Sequence, residues 1–186
     1  MAPAVRRRAG AQRLGGLVLG SRRVQGNGTT PAGTFRITTA FGLGADPGTR
    51  VPYTRVDRND RWVGDRSDPR TYNMFQPYAS RTRTWRTAHS ERLASYPVQY
   101  EYAAVIDFNR PAASARRWDA RRDQYVTTAP ADVRRGSAIF LHVDGRGSTA
   151  GCVSLRRADL LRVLRWLDPA AKPRIVQAPL AAIGRA

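Results

Sequence analysis

Residues 138–155 read Ala-Ile-Phe-Leu-His-Val, then Asp-Gly-Arg-Gly-Ser-Thr-Ala-Gly, then Cys-Val-Ser-Leu, and this run decides the fold. The first six are apolar except for His142, the pattern of a strand covered on both faces. The loop that follows holds Gly145, Gly147 and Gly151, too many glycines to continue a strand. Beyond it, Ala158, Leu160, Leu161, Val163, Leu164 and Leu167 recur at helical spacing, and Asp168-Pro169 is a stop. Ser154 is the expected N-cap, which places Cys152 just ahead of a helix N-terminus.

Working outward, residues 100–108 (Tyr-Glu-Tyr-Ala-Ala-Val-Ile-Asp-Phe) predict a second central strand. Residues 34–38 alternate polar and apolar, as a half-buried strand does, and residues 174–178 predict a closing strand. Residues 14–19 predict a first strand, and residues 25–33 are dense in turn formers that end it. Residues 42–68 read as long loops, residues 87–93 as a short helical turn, and the arginine-rich stretch 110–135 as an exposed insertion or flap. Tyr72-Asn73-Met74-Phe75 packs onto the core. The expected fold class is mainly β or α+β: a single curved β-sheet domain with one clear helix after the cysteine. The domain spans 14–178, with a basic segment at 1–13, disordered or the remnant of a longer start, and a tail at 179–186.

The chain has 186 residues, 41% hydrophobic and 25% charged, enough for one domain with a real core. No apolar run approaches the roughly 18 residues of a membrane-spanning helix. Lys and Arg number 32 against 14 acids, a net charge of +18, and Lys172 is the one lysine. Such a balance first suggests nucleic acid. The arginines are spread along the chain, however, and arginine in place of lysine beside abundant Ala, Gly and Pro is what GC-rich coding produces. A specific nucleic-acid partner is therefore not expected, and an anionic wall polymer or membrane face would suit the charge equally. Cys152 is the sole cysteine and the histidines are His89 and His142, so an internal disulfide and a multi-thiolate zinc site are excluded. Neither a metal nor a cofactor is expected.

His142 and Cys152 have the residue types of a nucleophile and its base. A free thiol is only a few per cent thiolate at neutral pH, and a neighbouring imidazole can take its proton. Glycines let backbone approach a substrate, and the amides of Gly151 and Cys152 could bind an oxyanion. Residue types alone leave the other reading open: Cys152 as a small buried hydrophobe and His142 as a structural histidine.

Residues 139–142 with Ser148-Thr149-Ala150-Gly151-Cys152-Val153-Ser154-Leu155 resemble the signature of the L,D-transpeptidase (YkuD-type) catalytic domain. Upstream, Thr30-Pro31-Ala32-Gly33-Thr34-Phe35 matches the family's Thr-Pro-x-Gly-x-Phe element in the right order. The resemblance implies a β-rich fold and cysteine acyl transfer on peptidoglycan stem peptides, without cofactor. By position, Cys152 is implied as nucleophile, His142 as general base, Gly151 and Cys152 as oxyanion donors, and Thr149 and Arg156 as substrate-binding residues. The chain departs from the family pattern at Ala150, where a histidine is common, and at Ser154, where an arginine is usual. Val143 follows the histidine where Gly or Ser is common, which leaves the group that orients His142 open.

Two further readings stand beside the transpeptidase: an L,D-carboxypeptidase or endopeptidase on the same substrate, and a non-catalytic arginine-rich module for nucleic acid or wall polymer. The implied location is the cell wall, outside the cytoplasm. Arg6-Arg7-Arg8 and the apolar residues after it have the order of a secretion signal but lack its length and cleavage site. His89 with Glu91 reads as an exposed polar turn that could line the site. Trp62, Tyr72 and Trp85 read as core residues, with substrate clamping as the lesser alternative.

Overall fold

The computed structural model describes residues 17–19 and 22–179. The basic segment 1–13, residues 14–16 of the expected first strand and residues 180–186 of the tail lie outside the described residues. The organising strand is β2 (Thr30–Gly42), which runs through Pro31 and Gly33, so the turn-rich stretch ends sooner than expected. Its first half pairs with β1 (Leu17–Leu19) and with β12 (Arg174–Gln177). Its second half pairs with β3 (Tyr53–Arg55) and β7 (Ala103–Ile106). An irregularity in register between Ile37 and Ala40 separates the halves. Such a bulge bends a strand and lets it serve two sets of neighbours.

β7 and β10 (Phe140–Val143) lie side by side, antiparallel, and every residue of both is buried. β11 (Val153–Leu155) then adds parallel to β10, completing a seven-stranded sheet. The expectation of neighbouring central strands holds, although both are shorter than the apolar runs: residues 99–101 form a 3-10 turn and residues 138–139 lead in.

The expected single sheet is corrected to three among the described residues. β5 (Met74–Gln76), β4 (Arg61–Val63) and β6 (Ser90–Arg92) make a second, so the helical turn expected at 87–93 covers only Thr87–His89 before a strand begins. β8 (Arg116–Asp119) and β9 (Gln124–Thr127) form a hairpin where an exposed flap was expected. Buried polar side chains dock it: Gln76 donates to the Tyr125 carbonyl and accepts the Tyr125 N–H, both at 2.8 Å. An amide can imitate a neighbouring strand in this way, since it carries both donor and acceptor.

The helix is α1 (Arg157–Trp166), whose Leu160 and Leu164 face the sheet one turn apart. Ser154 is not its cap; Ser154 sits in β11, and its hydroxyl donates to Asp144. The two faces of β10 divide the core. Leu141 and Val143 pack with Leu160, Leu164 and Leu167, while Phe140 packs on the opposite side with Phe41, Trp62, Leu93 and Tyr100. His142, two residues from Phe140, shares its aromatic face. No described helix is long and apolar enough to cross a membrane.

Candidate functional site

A cavity of about 670 Å³ opens on that aromatic face, and His142 and Cys152 both line it. The strand register brings them there. Leu141 pairs with Val153 and His142 with Ser154, so Cys152 arrives beside Phe140 at the entry to β11. The Phe140 N–H donates to its sulfur at 3.4 Å, and the thiol donates to the Ala138 carbonyl at 3.3 Å. Ala138 holds φ at 57°, a conformation a non-glycine residue adopts only under constraint. The constraint is Asn73, whose side-chain oxygen accepts the Ala138 N–H at 3.1 Å.

Among the described residues no hydrogen bond joins Sγ to the imidazole; the resting thiol is held on Ala138 instead. Burial pushes the Cys152 pKa up to about 12. It also lowers that of His142. The helix start expected to favour a thiolate is displaced: β11 intervenes, and α1 begins only at Arg157. The resting pair is thus a neutral thiol beside a neutral imidazole. The His142 ring meets the Val143 carbonyl through Nδ1 at 2.7 Å, which identifies the orienting group the sequence left open. A carbonyl only accepts, so Nδ1 carries the proton and Nε2 keeps its lone pair.

The loop between β10 and β11 is closed from within. The Asp144 N–H donates to the Leu155 carbonyl at 2.6 Å, and the Thr149 hydroxyl to the Cys152 carbonyl at 2.7 Å. Thr149 therefore lines the cavity but spends its hydroxyl on the turn. Ala150 also lines it, whereas Gly151 is buried behind with φ at 122°. A Cβ on Gly151 would lie 2.5 Å from the Thr29 carbonyl oxygen, so this position admits only glycine. Arg156 does not line the cavity; it is exposed and pairs with Asp159 at 2.8 Å.

Sequence reasoning missed Arg23, which does line it. This buried guanidinium donates from Nε to the Thr29 carbonyl and from Nη1 to the Arg135 carbonyl, each at 2.8 Å. A Cβ on Gly151 would come 3.0 Å from its Nη2, so Arg23 backs the turn that carries Cys152. Gln25 beside it ties the same loop to Tyr72 and Ser137. Glu91, expected in an exposed helical turn, is instead a half-buried strand residue in the cavity wall; His89 is exposed at the same rim. Tyr72 and Trp85 are core residues, while Trp62 is buried in the core and also borders the cavity. Among the described residues no three of His, Cys, Asp and Glu gather closely enough to hold a metal ion.

A cysteine and a histidine brought to one cavity by paired strands of a mixed β-sheet agree with the resemblance to the L,D-transpeptidase catalytic domain read from the sequence. The model of that family, YkuD, matches residues 8–176, and the chain belongs to it. No curated protein and no solved structure matches the chain.

Proposed function

We propose that the protein is a cysteine acyltransferase of the cell wall, an L,D-transpeptidase that forms a Cys152 thioester with a peptidoglycan stem peptide and passes the acyl group to an amine. One observation carries this reading: the chain's sole thiol and an imidazole with a free Nε2 line the same cavity, on strands held in register. Sγ leaves the Ala138 carbonyl and attacks the carbonyl carbon of the third stem residue. Its proton passes to Nε2 of His142 as the C–S bond forms. The C–N bond to the terminal D-Ala breaks, and His142 returns the proton to the departing nitrogen. A neutral pair suits this sequence, because the proton moves only when the substrate is in place. The N–H groups of Cys152 and Gly151 are the candidate oxyanion donors, and Thr149 holds the turn that presents them.

Incubation with a carbapenem tests the acylation half by intact mass. The wild type gains one adduct, Cys152→Ala gains none, and His142→Ala gains it about 10²–10⁴-fold more slowly. A stem tetrapeptide tests the full reaction through D-Ala release and dimer formation. Absence of both the adduct and D-Ala overturns the proposal, and D-Ala without dimer assigns hydrolysis instead.

A further inference from the structure

Among the described residues Glu91 is the only carboxylate in the cavity wall. It extends from β6 opposite Trp62 of β4 and accepts the hydroxyl hydrogen of Tyr100. A chain with 32 basic residues has abundant cations to neutralise an acid. Asp65, Asp132, Asp159, Asp168 and Glu101 all take one. Among the described residues no cation reaches Glu91; the neutral Tyr100 phenol donates to it. Two aromatic rings stand beside it. Tyr100 reaches the carboxylate through its hydroxyl, and the ring of Tyr96, exposed at the rim, lies 5.4 Å from that of Tyr100, centroid to centroid. Both line the cavity with Cys152. A carboxylate without a cation, flanked by aromatic rings and open to a cavity, has the chemistry of an ammonium site: ionic hydrogen bonds on one side and ring quadrupoles on the other.

We infer that Glu91, with Tyr96 and Tyr100, binds the primary ammonium of the acyl acceptor beside the Cys152 thioester and takes the proton that must leave before nitrogen can attack. The inference rests on the acyl-transfer reading above. In balance, R–NH₃⁺ gives one proton to the Glu91 carboxylate and becomes R–NH₂. Its nitrogen bonds to the thioester carbonyl carbon, the C–S bond breaks, and the second nitrogen proton passes through His142 to sulfur. The products are an amide, the free thiol and a protonated Glu91, which returns its proton to water. Burial favours that protonated form, because it raises the pKa of Glu91. Tyr100 fixes the carboxylate through its hydroxyl, and its ring also meets the His142 ring edge-on at 5.8 Å. Acceptor and base are thereby held by one side chain.

The test uses the stem tetrapeptide with a free side-chain amine, its N-acetylated twin, and the full chain carrying Glu91→Gln. The glutamine keeps the acceptor for Tyr100 and loses the charge. With the free-amine peptide, the ratio of dimer to hydrolysed tripeptide should fall about ten- to a hundred-fold, the loss of one charge-assisted hydrogen bond. D-Ala release from the acetylated peptide reads the acylation half separately, because acylation does not use the amine, and the dimer ratio is judged against it. An unchanged ratio overturns the assignment. A binding comparison in the Cys152→Ala background keeps the two proposals separable. There the free-amine peptide should bind more tightly than its acetylated twin, and Glu91→Gln should erase the difference. If the wild type releases no D-Ala, the acyl-transfer reading fails, and the binding comparison alone decides whether Glu91 is an ammonium site. If Glu91→Gln does not fold, Glu91→Asp replaces it: retained charge at shorter reach should preserve the preference for the free amine, and its loss overturns the assignment.

Discussion

Nδ1 of His142 meets the carbonyl of Val143, the next residue along the strand, at 2.7 Å. The contact turns the strand's own backbone into the orienting group of the imidazole, a role often filled by a carboxylate. It fixes the ring and its tautomer without adding charge, and burial outweighs the pull of the Phe140 N–H and of Arg23 on the Cys152 proton. The resting cysteine–histidine pair is uncharged as a result.

Thiol reactivity should show this directly. The Cys152 pKa is raised to about 12 and that of His142 is lowered, so both groups are neutral at pH 7. The rate of alkylation by iodoacetamide should be low at pH 7 and climb steadily to pH 10. A plateau between pH 6 and 8 would indicate a preformed thiolate–imidazolium pair and contradict the neutral resting state.

Asn73 supports the site from behind the sheet. Only 1% exposed, it accepts from the Trp62 indole at 2.8 Å and the Ala138 N–H at 3.1 Å. It donates to the carbonyls of Phe108 and Asn109 at 3.2 and 2.6 Å. Asn73→Ala leaves these buried groups unpaired and should cost about 2–4 kcal/mol in chemical denaturation. It should also slow adduct formation at Cys152, because Ala138 loses the bond that holds its carbonyl on the sulfur. Stability and acylation rate both equal to wild type would contradict this role.

Gly151 and Arg23 should behave as one unit. Gly151→Ala drives a methyl into the Thr29 carbonyl, and Arg23→Gln shortens and neutralises the side chain that braces Thr29 and Arg135. Each change displaces the Cys152 turn, and a misplacement of about 1 Å can cost about 10²-fold in rate. Carbapenem adduct rates should fall by that order in both single variants. The double variant should lose far less than the product of the two losses; independent, multiplicative losses would refute the coupling.

Two aspartates should pull pH stability in opposite directions. Asp65 is fully buried and accepts from Arg86 at 2.6 Å and from Ser67, which lowers its pKa. A lowered folded-state pKa gives stability that is present above the unfolded value of about 4 and lost as pH falls below it. Asp60 is raised to about 6, mainly by burial, so its folded form holds a proton the unfolded chain releases. Its contribution is full below about pH 4 and lost as pH rises to about 6. Against wild type, Asp65→Asn should lose its disadvantage on acidification, and Asp60→Asn should gain relative stability from pH 4 to 7. Thermal melts between pH 3 and 8 read both, and parallel curves would contradict the assignment.

The parts of the fold legible in the sequence were those that apolar residues write. Residues 103–106 and 140–143 stand out because both faces of each strand are covered, and α1 because Leu160 and Leu164 recur at one turn. The second sheet and the hairpin were not legible. Their strands are three or four residues long, rich in arginine, and fixed by Asn73, Gln76 and Gln124, residue types that read locally as loop. The helix start was misplaced because Val153-Ser154-Leu155 is too short for its alternation to mark a strand; it becomes one by pairing with β10. His142 and Cys152 were found through the local motif. Arg23 was not singled out, and Glu91 was read first as part of an exposed turn that could line the site, because what puts them in the wall is contact with residues far along the chain: Trp62 opposite Glu91, and Arg135 against Arg23.

The carbonyls that hold Arg23 belong to residues 6 and 112 positions away. β12, near the end of the described chain, lies against the opening residues of β2. Among the described residues the cavity is lined by positions 23–152, so Cys152 is the last part of its wall to leave the ribosome. The helix α1 and the strand β12 follow it in the chain, so the sheet that carries the cavity's strands is completed only after the thiol has been made.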